Sequence, residues 1–228
     1  MREIVVDTET TGLDPSDGHR IIEIGCVELF DHVPTGNTFH RYLNPERLIP
    51  LEAQRVHGLT DEFLAGKQLF SAVVEEMLEF FGDAPLVIHN AAFDLKFLNA
   101  ELLRVARTSI SAARAIDTIE IAKAKLPGVR YSLDELCKRF GIDLSGRSKH
   151  GALIDAELTA RVYLELVGGR QTRLRLAPRD TVGVVTIDAV AARQRPAPLP
   201  SFVSPAETAA HTEFVARELG SDAVWNWQ

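Results

Sequence analysis

Asp7 and Glu9 stand two positions apart in Asp7-Thr8-Glu9, directly after the apolar run Ile4-Val5-Val6. In an extended strand that spacing sends both carboxylates to one face. Unpaired charges at the end of a buried strand are costly. A bound cation removes the cost, because hard Mg2+ or Mn2+ takes oxygen ligands. The same residues also fit a strand end entering a polar turn, Thr10-Thr11-Gly12, and this motif alone leaves both readings open.

Two further segments carry groups of the same kind. Val87-Ile88-His89-Asn90-Ala91-Ala92-Phe93-Asp94 reads as a strand end, a turn and the first turn of a helix, with Asp94 in that turn. The helix dipole by itself favours a carboxylate there, which is the simpler local reading. In His150-Gly151-Ala152-Leu153-Ile154-Asp155, five helical positions would separate His150 and Asp155 by about 140° and keep them apart. Gly151 lets His150 sit in the loop before the helix while Asp155 projects from its first turns. A loop histidine titrates near neutrality and suits a general base over an acidic cluster; a surface histidine is the alternative. The preceding Ser145-Gly146-Arg147-Ser148-Lys149 is small and polar and reads as mobile.

The elements that must position these groups alternate between strand and helix. Strands are expected at Ile4–Asp7, Ile21–Leu29 and Thr38–Leu43, then an apolar helix Phe70–Phe81 closed by Gly82. A short buried strand, Leu86–Ile88, precedes a helix Phe93–Val105 with Leu95, Leu98, Leu102 and Leu103 facing inward. Ser132-Leu133-Asp134-Glu135 reads as a capping box opening a helix that stops at Gly141, and a last helix runs from about Gly151 to Val167. This order implies an α/β domain, a mixed sheet covered by helices.

The 228 residues allow one domain of about 100–200 residues with an appendage. A hydrophobic fraction of 46% supports a core, and no apolar run approaches the ~18 residues of a membrane span. No signal-peptide pattern opens the chain, so secretion is not expected. Cys26 and Cys137 sit in apolar segments without metal-ligand spacing and read as buried structural thiols in a reducing, cytoplasmic setting. The net charge of −7 argues against gripping long duplex DNA through phosphates, but suits an enzyme that holds only a strand end. Residues 170–228 hold seven Lys and Arg against six Asp and Glu, so the acidity lies in the first 169 residues.

The order and spacing of the three acidic motifs resemble the DEDDh 3′→5′ exonucleases. The resemblance narrows to the proofreading (epsilon) subunits of bacterial DNA polymerase III. It rests on Ile88 through Asp94, on His150-Gly151-Ala152-Leu153 with Asp155-Ala156, and on Gly36-Asn37, Phe39-His40 and Tyr42-Leu43. It covers nearly the whole length. It implies an RNase H-like mixed sheet flanked by helices, followed by a flexible linker and a short C-terminal helix. It further implies two divalent cations, Mg2+ or Mn2+, with Asp7, Glu9 and Asp155 as direct ligands that also face substrate. Asp94 completes the second site in part through water, and His150 deprotonates the attacking water. Glu52 and His57 match positions that contact the terminal nucleotide. Leu13 matches a residue that packs on the terminal base, although a turn-packing role is the alternative. Two cations about 3.5–4 Å apart would neutralise a phosphodiester, sharpen a water and stabilise the departing 3′ oxygen. The product would be a nucleoside 5′-monophosphate and the substrate a single-stranded DNA 3′ end.

Beyond Gly168-Gly169 the texture changes to Pro-punctuated, Ala/Arg/Val-rich sequence, with a short strand expected at Thr181–Val190. Gln171, Leu174 and Leu176 resemble a sliding-clamp-binding peptide, although no aromatic closes it; a linker start with incidental leucines is the alternative. Ser204-Pro205-Ala206-Glu207 is a capping box with Pro at the first helical position, Phe214, Val215 and Leu219 offer an apolar face, and Gly220 ends the helix. With Trp225 and Trp227 this segment resembles the family's anchor for the polymerase alpha subunit. The expected layout is a nuclease domain at 1–169, a clamp motif and Pro/Ala-rich linker at 170–203, and a polymerase-anchoring segment at 204–228. A small third core subunit is a further implied partner, and the replisome the implied location. An RNA 3′-end-trimming DEDDh nuclease and a non-catalytic polymerase–clamp adaptor are the alternatives.

Overall fold

The computed structural model describes residues 1–145, 149–168 and 203–218. The expectations at 146–148, Gln171, Leu174, Leu176, Thr181–Val190, Leu219, Gly220, Trp225 and Trp227 lie outside the described residues. The chain forms two compact units, the first built on the sheet and the second holding the last described helix.

In the first unit β1 (Arg2–Thr10), β2 (Ile21–Phe30), β3 (Val33–Tyr42), β4 (Leu86–Ile88) and β5 (Ala115–Asp117) form a mixed sheet in the order β3-β2-β1-β4-β5. The β1/β2 and β2/β3 pairs are antiparallel, and the β1/β4 and β4/β5 pairs parallel. Helices α1 (Leu51–His57), α2 (Asp61–Leu64), α3 (Phe70–Phe81), α4 (Ala91–Arg104), α5 (Thr118–Lys125), α6 (Leu133–Phe140) and α7 (Ala152–Val167) complete it. This is the expected RNase H-like α/β arrangement. No described helix is long and apolar enough to cross a membrane.

Strand β1 is buried on both faces because its residues alternate between two cores. Ile4 and Val6 join Val73, Met77 and Phe81 of α3 and Phe97, Leu98 and Leu102 of α4. Val5 joins Val87 and, from α7, Ala156, Ala160 and Tyr163. The opposite face of α7, through Leu158, Val162 and Leu166, packs on Leu133, Leu136 and Cys137 of α6. Each fully buried Ile, Val or Leu contributes roughly 1.5–3 kcal/mol relative to exposure, so α7, wedged between sheet and α6, is held on two sides. Cys26 and Cys137 are buried, as read from the sequence, and form no disulfide.

Local details differ from the sequence reading. Leu103 is 74% exposed, because the buried stripe of α4 follows Leu95, Leu98 and Leu102, and the next position turns away by about 100°. Ser132 precedes α6 but its side chain makes no cap hydrogen bond; Glu135 instead pairs with Lys138 at 2.9 Å. Gly151 is extended, with φ −159, and a Cβ there would meet nothing closer than 4.0 Å. His150 does lie before the helix, but glycine is not what the backbone requires there.

One buried ion pair ties α4 to the start of β2. Arg20 Nε lies 2.6 Å and Nη2 3.0 Å from the two oxygens of Glu101, which is 2% exposed. Replacing Glu101 by alanine leaves a mostly buried guanidinium with only Glu46, at 3.5 Å, as an acidic partner. A loss of about 3 kcal/mol is expected, the low end for a broken buried pair because Glu46 remains. Urea unfolding reads it.

In the second unit, α8 (Pro205–Glu218) begins with the expected reciprocal cap. Glu207 Oε2 accepts from the Ser204 N–H at 2.8 Å, and Ser204 Oγ accepts from the Glu207 N–H at 3.3 Å. Phe214 is 52% exposed and Val215 half-buried.

Candidate active site

The register of the two central parallel strands creates the site. β4 ends at Ile88, opposite Val6, whereas β1 runs on to Thr10. The overhanging residues Asp7 to Thr10 pair only with β2, which leaves their other edge open at the carboxyl ends of parallel strands, where ligands gather in open α/β sheets. Asp94, 3% exposed in the first turn of α4, fills part of that edge. Its Oδ1 accepts from the Thr8 N–H at 3.0 Å and the Thr8 hydroxyl at 2.8 Å.

Asp7 and Glu9 share the parity of Val5, the residue that packs on α7. Asp7 pairs in register with Gly25 of β2. A Cβ at Gly25 would lie 2.2 Å from the Ala152 carbonyl carbon and the Leu153 nitrogen. The first turn of α7 therefore rests directly on β2, and Asp155, 4% exposed in that turn, comes to the two β1 carboxylates.

The oxygens of Glu9 and Asp155 and a ring nitrogen of His150 lie within 4.8 Å of one another, and His150 Nδ1 is 3.1 Å from Asp155 Oδ2. Asp7 and Asp94 are outside that tight group but inside its field. Burial, then Asp94, Asp155, Glu9 and Glu23, push the Asp7 carboxyl well above its usual range. Asp94 is pushed up to about 7 by burial, although both Thr8 hydrogen bonds pull it down. The carboxylate oxygens suit hard divalent cations, and the repulsion on Asp7 is what a dication would relieve. The cluster can thus hold a divalent metal ion.

A cleft of about 560 Å³ adjoins this cluster, with Glu9, Leu13, Glu52 and His57 all on its lining. Leu13 is 82% exposed, which removes the turn-packing alternative. His57 is 5% exposed, and its Nδ1 accepts from the Leu59 N–H at 3.0 Å. That bond places the proton on Nε2, which is buried without a hydrogen-bond partner among the described residues. Burial also holds the His57 pKa below its usual value, against the attraction of Glu23.

Two supporting residues escaped the sequence reading. Asp117, at the end of β5, accepts from the N–H groups of Asn90 (3.2 Å), Ala91 (2.9 Å) and Ile119 (2.8 Å). It thus clamps the start of α4 as well as its own helix α5. Asn90, in the left-handed region at φ 71, makes no side-chain cap, so Asp117 supplies it. The spacing Asp117-x-x-Glu120 was the available signal. Glu23, 2% exposed and opposite Glu9 in register, holds His40 Nε2 at 2.7 Å; an acid flanked by Ile22 and Ile24 was its signal.

An open-edged RNase H-like sheet with a four-carboxylate and histidine cluster defines a DEDDh-type exonuclease. The exonuclease (RNase_T) family profile matches residues 4–163. The chain is 53% identical over 185 residues to DNA polymerase III subunit epsilon of Rickettsia conorii, covering 80% of each chain. Against the same subunit of Rickettsia typhi the identity is 46% over 223 residues (96% of this chain, 97% of that one). Against that of Escherichia coli it is 40% over 237 residues (98% and 97%). Among solved structures, Exonuclease X in complex with 5′ overhanging duplex DNA superposes with a TM-score of 0.58 at 26% identity, over 72% of this chain and 90% of that one. The nuclease domain of 3′hExo, a DEDDh family member bound to rAMP, superposes at 0.64 over 73% and 91%; at 22% identity this likeness concerns the fold. The chain belongs to the DNA polymerase III epsilon-subunit family of exonucleases.

Proposed function

We propose that this chain is the proofreading 3′→5′ exonuclease of a replicative DNA polymerase, removing mispaired 3′-terminal nucleotides as 5′-monophosphates. The observation that carries the proposal is the meeting, at the overhang of β1, of the acidic cluster with a cleft of about 560 Å³ holding Glu9, Leu13, Glu52 and His57. Asp7, Glu9 and Asp155 would hold two Mg2+ or Mn2+ ions directly, with Asp94 completing the second environment in part through water. When bound, the ions neutralise the phosphodiester and acidify a water. His150, seated against Asp155, takes the proton of the attacking water. Glu52 and His57 hold the terminal nucleotide, the buried Nε2–H of His57 donating to one of its oxygens, and Leu13 packs on the terminal base. A mispaired end unpairs at less cost than a paired one, so selection for mismatches needs no base reading.

The layout proposed is a nuclease domain at 1–169, a clamp motif and linker at 170–203 and a polymerase-anchoring segment at 204–228. Gln171, Leu174 and Leu176 would meet a sliding clamp, and Trp225 and Trp227 the polymerase alpha subunit, since tryptophan is enriched among interface anchors. The relatives' name, DNA polymerase III subunit epsilon, supports membership of a polymerase assembly; the cytoplasmic replisome and a small third core subunit are further parts of the proposal.

A 5′-labelled primer, paired or 3′-mismatched, tests the proposal. With Mg2+ or Mn2+ a ladder shrinking from the 3′ end is expected, faster on the mismatch and absent in EDTA. Much faster trimming of RNA than of single-stranded DNA would overturn the substrate assignment.

A further inference from the structure

Helix α1 carries Glu52 in its first turn and His57 in its last, and an α-helix leaves its last four carbonyls without partners inside the helix. The Gly58 N–H takes the Gln54 carbonyl at 2.8 Å, with Gly58 in the left-handed region at φ 77. The next two carbonyls are taken from 94 residues away, by the loop that precedes α7. Lys149 Nζ donates to the Arg55 carbonyl at 2.7 Å, and the His150 N–H donates to the Val56 carbonyl at 3.3 Å. The Lys149 stem lies 3.5–3.8 Å from where a Gly58 Cβ would be, so the stem runs alongside the glycine that ends the helix. A cation at a helix C-terminus is also favoured by the dipole.

We infer that Lys149 is a positioning residue that fastens the His150 loop to α1, so that a nucleotide seated in the cleft against α1 also sets the place of the imidazole. The inference rests on the proposed function of this cleft and deepens it. His150 is 48% exposed at its side chain, and the main-chain contact to Val56 is long for a hydrogen bond. The ammonium bond to Arg55 is the shorter of the two fastenings. Without it, the loop keeps its link to Asp155 but is registered on the helix that holds the nucleotide only by the long contact to Val56.

The test compares wild type, Lys149→Met, which keeps the stem and removes the charge, and Lys149→Arg, which restores a donor. On a single-stranded oligodeoxynucleotide with Mn2+, Lys149→Met is expected to lower kcat about tenfold with KM within about twofold, because misplacement of a reacting group acts on the chemical step. Lys149→Arg is expected to recover most of the loss. In the second arm, hydrogen exchange at the His150 amide is followed in metal-free protein with and without dTMP. Wild type should gain protection with dTMP, and Lys149→Met should exchange faster and gain none. A wild-type kcat in Lys149→Met, or equal dTMP-induced protection in both proteins, overturns the inference. Absence of cleavage by wild type would instead count against the proposed function, since the exchange arm does not depend on turnover.

Discussion

Gly25→Ala is expected to cut exonuclease activity at least about 100-fold, because a displacement of about 1 Å at a reacting group is enough for that loss. The added Cβ would sit 2.2 Å from the Ala152 and Leu153 main chain. Backbone cannot rotate aside as a flexible side chain can, so the first turn of α7 must lift from β2. Asp155 lies in that turn, and Asp7 stands opposite Gly25 on the neighbouring strand, so the lift opens the space between two proposed ligands. Overpacking at such a contact typically also costs about 1–3 kcal/mol of stability. Single-turnover cleavage and urea unfolding of the same preparation separate the two effects. A folded variant with wild-type cleavage would mean that α7 does not depend on this contact.

Asp7→Asn is expected to lower cleavage about 1,000-fold, matching the several kcal/mol that metal-ion stabilisation supplies, while making the metal-free protein more stable at neutral pH. The folded protein raises the pKa of both Asp7 and Asp94 above the ordinary 3.8, that of Asp94 to about 7. A carboxyl whose folded pKa is raised contributes fully below its unfolded value, and its contribution is lost as pH rises through the folded value. Metal-free wild type therefore forfeits these contributions from about pH 4 upward, the Asp94 share through about pH 7. The asparagine variant escapes the Asp7 share. Thermal melts in EDTA across pH 5–8 should place its Tm above that of wild type. Added Mn2+ should raise the wild-type Tm more, since a ligand of the folded state stabilises by mass action. A variant that melts below wild type in EDTA would contradict the electrostatic account of the cluster.

Much of this arrangement was legible in the chain. The apolar run ending in Asp7-x-Glu9, the apolar stripe of the 12-residue helix α3 and the three-residue strand β4 are local patterns, and local patterns read directly. The proposed ligands could be named because strand parity puts Asp7 and Glu9 on one face. Strand β1 proved longer than expected, continuing to Thr10 because β2 pairs with it there; nothing in Thr8-Glu9-Thr10 itself announces a partner strand. Helix α1 went unread as a helix because its large apolar residues, Leu51 and Val56, are exposed rather than packed inward. The spacing Asp117-x-x-Glu120 signalled only the cap of α5; the reach of Asp117 to α4 was invisible because it serves amides 26 and 27 residues earlier in the chain. Seating α7 on Gly25 likewise joins residues more than 120 positions apart, and only the folded chain shows why that glycine matters.

The placement of the acidic residues on β1 also bears on heat. This strand is the middle of five, with a neighbour on each side and helices on both faces, the kind of segment that opens only with global unfolding. The cleft wall opposite is short helix and loop, held by the Lys149 and His150 contacts and a small apolar cluster that takes Ala53 and Leu59, and such segments loosen at lower free energy. As temperature rises, grip on the nucleotide should therefore fail before grip on the metal, and weakened substrate binding should precede inactivation.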